Sequence, residues 1–159
     1  MIQHVLTVCI GNICRSPAAQ VLLAHELPGL AVSSAGIEAL DTYSADPLML
    51  ELLSERGIDA SAHRARTIAA WMVSQADLVL VMDQAQKSIL ERNYPQARGR
   101  VFRLGQYLGP QGQDIPDPYR KDRTVFEQVL AQISEGVGQW ATRIRTVGYA
   151  TTSAATPAH

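Results

Sequence analysis

Cysteine and histidine are scarce in this chain: two cysteines and four histidines in 159 residues. His4, His25, His63 and His159 are scattered, so no cluster with metal-ligand spacing is present and no metal is expected. An excess of either charge is also missing. Fourteen basic and fifteen acidic residues leave a net charge of −1, without the basic balance that phosphate-backbone binding favours, which argues against a nucleic-acid partner. Long apolar runs are missing too. The run Leu78 to Met82 is far too short to cross a bilayer, and "MIQHVLTVCIGN" lacks a basic leader and turns polar at Gly11 and Asn12. Neither a secretory signal nor membrane insertion is expected, which places the protein in the cytoplasm, where thiols stay reduced.

What is present is globular composition, 47% apolar and 18% charged, on a chain long enough to support one full core. Four short β-rich runs recur at His4–Cys9, Ala31–Ala35, Asp77–Met82 and Arg100–Leu104. Val5, Leu6 and Val8, like Leu78 to Val81, are nearly continuous apolar residues, as strands covered on both faces require. Helical patterns lie between them. The expected fold is α/β: a single domain with a central four-stranded parallel sheet, helices on both faces and a phosphate-binding loop after the first strand.

Helix punctuation is legible. Ser16 followed by Pro17 predicts a cap and first turn for a helix reaching Leu27, before Pro28 and Gly29. Asp46 and Pro47 repeat the device for "PLMLELLSER", and a third helix is predicted from Gln84 to Arg92. Thr124 and Glu127 have capping-box spacing at the start of the last helix. There Phe126, Leu130, Ile133, Val137, Trp140 and Ile144 form one apolar stripe for docking on the sheet. Gly136 and Gly138 each cost such a helix roughly 1 kcal/mol, which packing must outweigh. Residues 1–148 form the expected domain, and residues 149–159, "YATTSAATPAH" from Tyr149, lose periodicity and predict a flexible tail.

Both cysteines fall in one segment, "LTVCIGNICRSPAAQ". A tight loop between a strand and a helix start can turn successive N–H groups inward, and the helix N-terminus adds roughly half a positive charge, so anions bind at such places. Gly11 permits a sharp turn and close approach, and Asn12 is the non-glycine type that best tolerates positive φ. Arg15 supplies a planar fork suited to two oxygens of a phosphate. A thiol at the floor of this cradle, Cys9, is expected to lose its proton readily and act as a nucleophile aimed at an anion. The ATP-loop pattern G-x(4)-G-K-[ST] is absent.

The run VCIGNICRSP resembles the signature of the low-molecular-weight protein tyrosine phosphatases. Similar family features follow in order: SSAG at Ser33–Gly36, ADP at Ala45–Pro47, GID at Gly57–Asp59, HRAR at His63–Arg66, VLVMD ending at Asp83, and DPYR at Asp117–Arg120. The likeness covers nearly the whole chain and is closest to the bacterial branch associated with tyrosine autokinases of capsule and exopolysaccharide export.

By itself Asp117, held between Pro116 and Pro118, reads first as a solvated turn residue; the resemblance overturns that and makes it the general acid. The implied reaction is hydrolysis of protein phosphotyrosine through a phosphocysteine, with Cys9, Arg15 and Asp117 catalytic and no cofactor. Ile10, Gly11, Asn12, Ile13, Cys14 and Ser16 would form the phosphate cradle, with Leu40 and Tyr119 beside the substrate ring. Asn12, Ser16, Ser34 and His63 would form a supporting hydrogen-bond network. Eukaryotic relatives carry aromatics where this chain has Arg120 and Leu40, which implies a less aromatic slot. The resemblance further implies that Cys14 closes a reversible disulfide with oxidised Cys9, that the partner is a phosphotyrosine protein such as a tyrosine autokinase, and that the chain is a monomer. Two alternatives remain. A thioredoxin-coupled arsenate reductase shares the cradle but uses a cysteine pair downstream, which this chain lacks, and a noncatalytic phosphotyrosine-binding module would need neither Cys9 nor Asp117.

Overall fold

A computed structural model describes residues 1–152 of the chain. Four strands, β1 (His4–Cys9), β2 (Ala31–Gly36), β3 (Leu78–Val81) and β4 (Val101–Arg103), form one sheet in the order β2-β1-β3-β4 with every pair parallel. The helices are α1 (Arg15–Glu26), α2 (Pro47–Glu55), α3 (Ala70–Gln75), α4 (Gln84–Asn93) and α5 (Arg123–Val147). The expected single α/β domain with a four-stranded parallel sheet is what forms.

Strand alternation sorts the core into two layers. Val5 and Cys9 of β1 face Leu23, Met49, Phe126 and Ile133 of α1, α2 and α5, whereas Leu6, Val8, Val79 and Val81 face Val73 and Leu90 of α3 and α4. All six residues of the predicted α5 stripe are buried. Gly136 has a packing reason: a Cβ there would lie 2.9 Å from the Leu104 carbonyl oxygen, so only glycine lets α5 approach the end of β4 this closely.

Helix starts depart from expectation in two places. Asp122, not Thr124, caps α5, its carboxylate accepting from Val125 N at 3.1 Å, and Glu127 instead pairs with Arg123. Ser16 does not cap α1: the helix begins two residues earlier, with Cys14 at the cap position and no side-chain cap. The Ser16 hydroxyl is engaged elsewhere. Helix α3 escaped prediction because it is only six residues long and has no side-chain cap. Residues 149–152 of the expected tail are tied to the body. Tyr149 pairs with Ile2 as an isolated parallel bridge, Ala150 N donates to Ile2 O at 2.9 Å, and Thr152 N donates to Gly29 O at 2.6 Å. The remainder, 153–159, lies outside the described residues.

Candidate active site

Parallel sheets gather their functional loops at the carboxyl ends of the strands. Here β1 ends at Cys9, turns through residues 10–14, and enters α1 at Arg15. The turn is sharp enough to hold Asn12 in the left-handed region at φ 58°, where asparagine is among the few tolerated side chains. Cys9 Sγ lies inside it, accepting the Asn12 N–H at 3.3 Å, with Ser16 Oγ at 2.8 Å.

Buried Asn12 organises the turn with every polar atom it has. Its Nδ2 donates to Ser16 Oγ at 2.8 Å and to Ser34 Oγ at 3.0 Å, its Oδ1 accepts from Arg66 N at 3.0 Å, and its carbonyl accepts from His63 Nε2 at 2.6 Å. A carbonyl can only accept, so His63 carries its proton on Nε2. Burial pushes the His63 pKa below its ordinary value, which keeps the ring neutral. The Ser34 hydroxyl donates to Gln20 Oε1 at 2.7 Å, so the chain of donors is fixed from one end. Because Ser16 Oγ already accepts from Asn12, its own proton is available for Cys9 Sγ.

The neighbouring loop seals one side through backbone bonds: Ile37 N, Glu38 N and Leu40 N donate to the carbonyls of Cys9, Ile10 and Gly11, each at 3.0 Å. This leaves the N–H groups of the turn free to face inward. Gly36, at the end of β2, makes the approach possible, because a Cβ there would sit 2.5 Å from the Ile10 carbonyl oxygen.

Arg15 is buried, 4% exposed, and its guanidinium is held in place by three oxygens. Nη1 donates to Ile115 O at 2.8 Å and lies 3.7 Å from Asp83 Oδ2; Nη2 lies 3.9 Å from Asp117 Oδ2. Asp117 is half exposed and accepts from Tyr119 N at 3.0 Å, closing an Asx turn within the Pro116–Pro118 loop. These groups meet around a cavity of about 180 Å³. Cys9, Ile10, Gly11, Ile13, Cys14 and Arg15 line its floor and sides, with Leu40, Asp117 and Tyr119 at its wall. Asn12, Ser16, Ser34 and His63 stand behind the turn, bonded as described, and do not line it. Burial raises the Cys14 pKa well above the ordinary thiol range, so that side chain is a neutral thiol.

Four participants were not singled out from the sequence. Glu38 lines the cavity, Asp83 braces Arg15, Gln20 terminates the hydrogen-bond chain, and Arg66 supplies Asn12 with its N–H donor. Asp83 and Arg66 left a trace, at the ends of the VLVMD and HRAR motifs. The others are set by folding and have no local signature.

A family model described as low molecular weight phosphotyrosine protein phosphatase matches residues 4–148. The chain belongs to this family. Within it, the chain is 52% identical over 148 residues, 93% of its own length and all of the relative's, to a Ralstonia nicotianae protein named probable low molecular weight protein-tyrosine-phosphatase EpsP. It is 38% identical over 141 residues, 89% of this chain and 93% of the relative, to the Salmonella typhimurium low molecular weight protein-tyrosine-phosphatase Wzb. Among solved structures, Vibrio vulnificus Wzb in complex with benzylphosphonate matches with a TM-score of 0.86 at 36% identity, covering 90% of this chain and 99% of that one. The resemblance read from VCIGNICRSP is therefore borne out at the level of family, and this phosphatase acts on protein phosphotyrosine. Among the described residues, no helix is long and apolar enough to cross a membrane.

Proposed function

We propose that this phosphatase works through a phosphocysteine formed on Cys9. The observation that carries the proposal is the placement of Cys9 Sγ at the floor of a cavity whose wall holds both Arg15 and Asp117. The Cys9 thiolate attacks phosphorus, the bond from phosphorus to the phenol oxygen breaks, and Asp117 gives its proton to the departing phenolate. Arg15 and the N–H groups of residues 10–15 hold the equatorial oxygens, and the Asn12 N–H and Ser16 hydroxyl stabilise the thiolate. Asp117 then takes a proton from water as the water oxygen attacks phosphorus, releasing inorganic phosphate and restoring the thiolate. Burial of Cys9, 3% exposed, favours an ester carried on a long aromatic stem that passes between Leu40 and Tyr119. The benzyl group on the phosphonate bound to Vibrio vulnificus Wzb is a stem of this kind.

The physiological substrate we assign is a phosphotyrosine protein of the polysaccharide-export type, a bacterial tyrosine autokinase, on the strength of the relatives named EpsP and Wzb. The enzyme acts as a cytoplasmic monomer, with residues 1–148 as its working domain. Hydrolysis of p-nitrophenyl phosphate without added metal, by wild type and Cys9→Ser side by side, tests the mechanism. Turnover that vanishes in the variant is expected. A folded, reduced wild-type protein without turnover would refute a cysteine phosphatase and leave oxyanion binding or reduction.

A further inference from the structure

Behind the phosphate turn, on the edge of the sheet formed by β2, lies a second cavity of about 270 Å³. Its polar lining comes from Gln20, Ser33, Ser34, His63, Arg64 and Arg66, and no carboxylate of the described residues borders it. Neither arginine forms an ion pair with a described residue, although the fold orients both. Arg66 is held through Nε, which donates to Ser34 O at 3.0 Å, and Arg64 through Nη1, which donates to the carbonyls of Ser61 and His63. Both Nη groups of Arg66 and the Nη2 of Arg64 have no hydrogen-bond acceptor among the described residues, and neither does the Ser33 hydroxyl. Two oriented guanidinium groups beside the Ser33 hydroxyl, with no counter-charge among the described residues, form a site suited to a doubly charged oxyanion.

We propose that this cavity is a second anion site, separate from the Cys9 cradle, that takes a phosphate-class dianion, either free or carried as a phosphomonoester. It would communicate with the cradle through Asn12, because Arg66 N and His63 Nε2 both donate to that residue. The inference does not depend on the mechanism proposed above.

His63 reports occupancy. Its pKa is held down first by burial and then by the positive charges of Arg64 and Arg66. A dianion between those charges favours the protonated ring, so occupancy moves the His63 pKa upward.

The test follows the His63 imidazole by NMR across pH, with the cradle first closed by alkylating Cys9 with neutral iodoacetamide, as verified by loss of p-nitrophenyl phosphate turnover. Inorganic phosphate and N-acetyl phosphotyrosine are then added in separate titrations. The expected result is an upward move of the His63 pKa that is lost in Arg64→Glu, while this variant keeps wild-type turnover before alkylation. A response to both probes assigns free phosphate as sufficient; a response to the ester alone assigns a phosphorylated protein as the source. The proposal is overturned if neither probe moves His63, if alkylation abolishes the response, or if Arg64→Glu responds as wild type does.

Discussion

Replacing Gly36 with alanine adds one methyl group and touches none of the reacting groups. The added Cβ would lie 2.5 Å from the Ile10 carbonyl oxygen, 3.0 Å from the Asn12 Cβ and 3.1 Å from the Ala39 Cβ. The first distance is about 0.9 Å short of the 3.4 Å at which ordinary contact begins. Strand β2 cannot yield easily, because Gly36 N donates to Arg66 O and Ile37 N to Cys9 O. The displacement therefore falls on the turn between Cys9 and Asn12. Overpacking of this kind costs about 1–3 kcal/mol, offset by the roughly 0.4–1 kcal/mol that alanine gains by stiffening the unfolded chain. A net loss of about 1–2 kcal/mol lowers Tm by about 2–8 °C for a chain of this size. Activity should suffer far more. Moving the attacking geometry by nearly 1 Å is a loss on the order of 10²-fold in kcat/KM. Gly138→Ala is the control: no atom lies within 4 Å of a Cβ at that helical position, so stability should rise by about 0.5–1 kcal/mol with activity unchanged. Steady-state p-nitrophenyl phosphate kinetics and thermal melts of the three proteins decide the matter. A folded Gly36→Ala enzyme within about threefold of wild type in kcat/KM, a difference under 1 kcal/mol, would refute close packing of β2 as the constraint on the turn.

Other perturbations separate the remaining roles. Asp117→Asn should slow hydrolysis of a phosphotyrosine peptide by about 10²–10⁴-fold but that of p-nitrophenyl phosphate far less, since p-nitrophenolate leaves without a proton; equal losses on both substrates would refute leaving-group protonation. His63 has its folded pKa below the unfolded value of 6.5, so the unfolded chain binds more protons as pH falls through that value and stability drops. Thermal melts between about pH 7.5 and about pH 5 should show this loss in wild type and less of it in His63→Gln. Cys14→Ser should recover less activity than wild type after peroxide followed by thiol, because the oxidised Cys9 then has no neighbouring thiol to stop it at a reversible stage; equal recovery refutes the disulfide. Asp122→Ala should lower stability by about 1 kcal/mol through loss of the α5 cap and leave kcat/KM unchanged.

The sheet was legible because its strands carry a signal internal to each segment: His4–Cys9 and Leu78–Val81 are apolar without alternation, which only a strand covered on both sides explains. The Cys9–Arg15 turn was legible for the same reason, its chemistry being written in consecutive residues. Ser16 was misread because a serine before a proline has two uses in a helix start, and a sulfur 2.8 Å away decides between them only after folding. Arg66 and Asp83 were assigned no role because their partners, Asn12 and Arg15, lie more than fifty residues away in sequence. The tail beyond Gly148 looked unstructured by composition, yet its first residues bond to Ile2 and Gly29 through backbone groups, which leave no trace in residue type.

Asp117 belongs to a loop that is joined to the rest of the site through main-chain atoms. Ile115 offers its N–H to Met82 O at 2.8 Å and its carbonyl to Arg15 Nη1. Neither bond depends on the side chain at position 115, so the acid-bearing loop is a cartridge whose main-chain clips do not read its sequence, while buried Ile115 and Pro118 set how it fits. Segments 116–121 from other family members should seat on the same two bonds and bring their own rim chemistry with them. Substrate preference could thus diverge through this loop while the Cys9 turn stays as it is, and an engineer could exchange it without rebuilding the nucleophile.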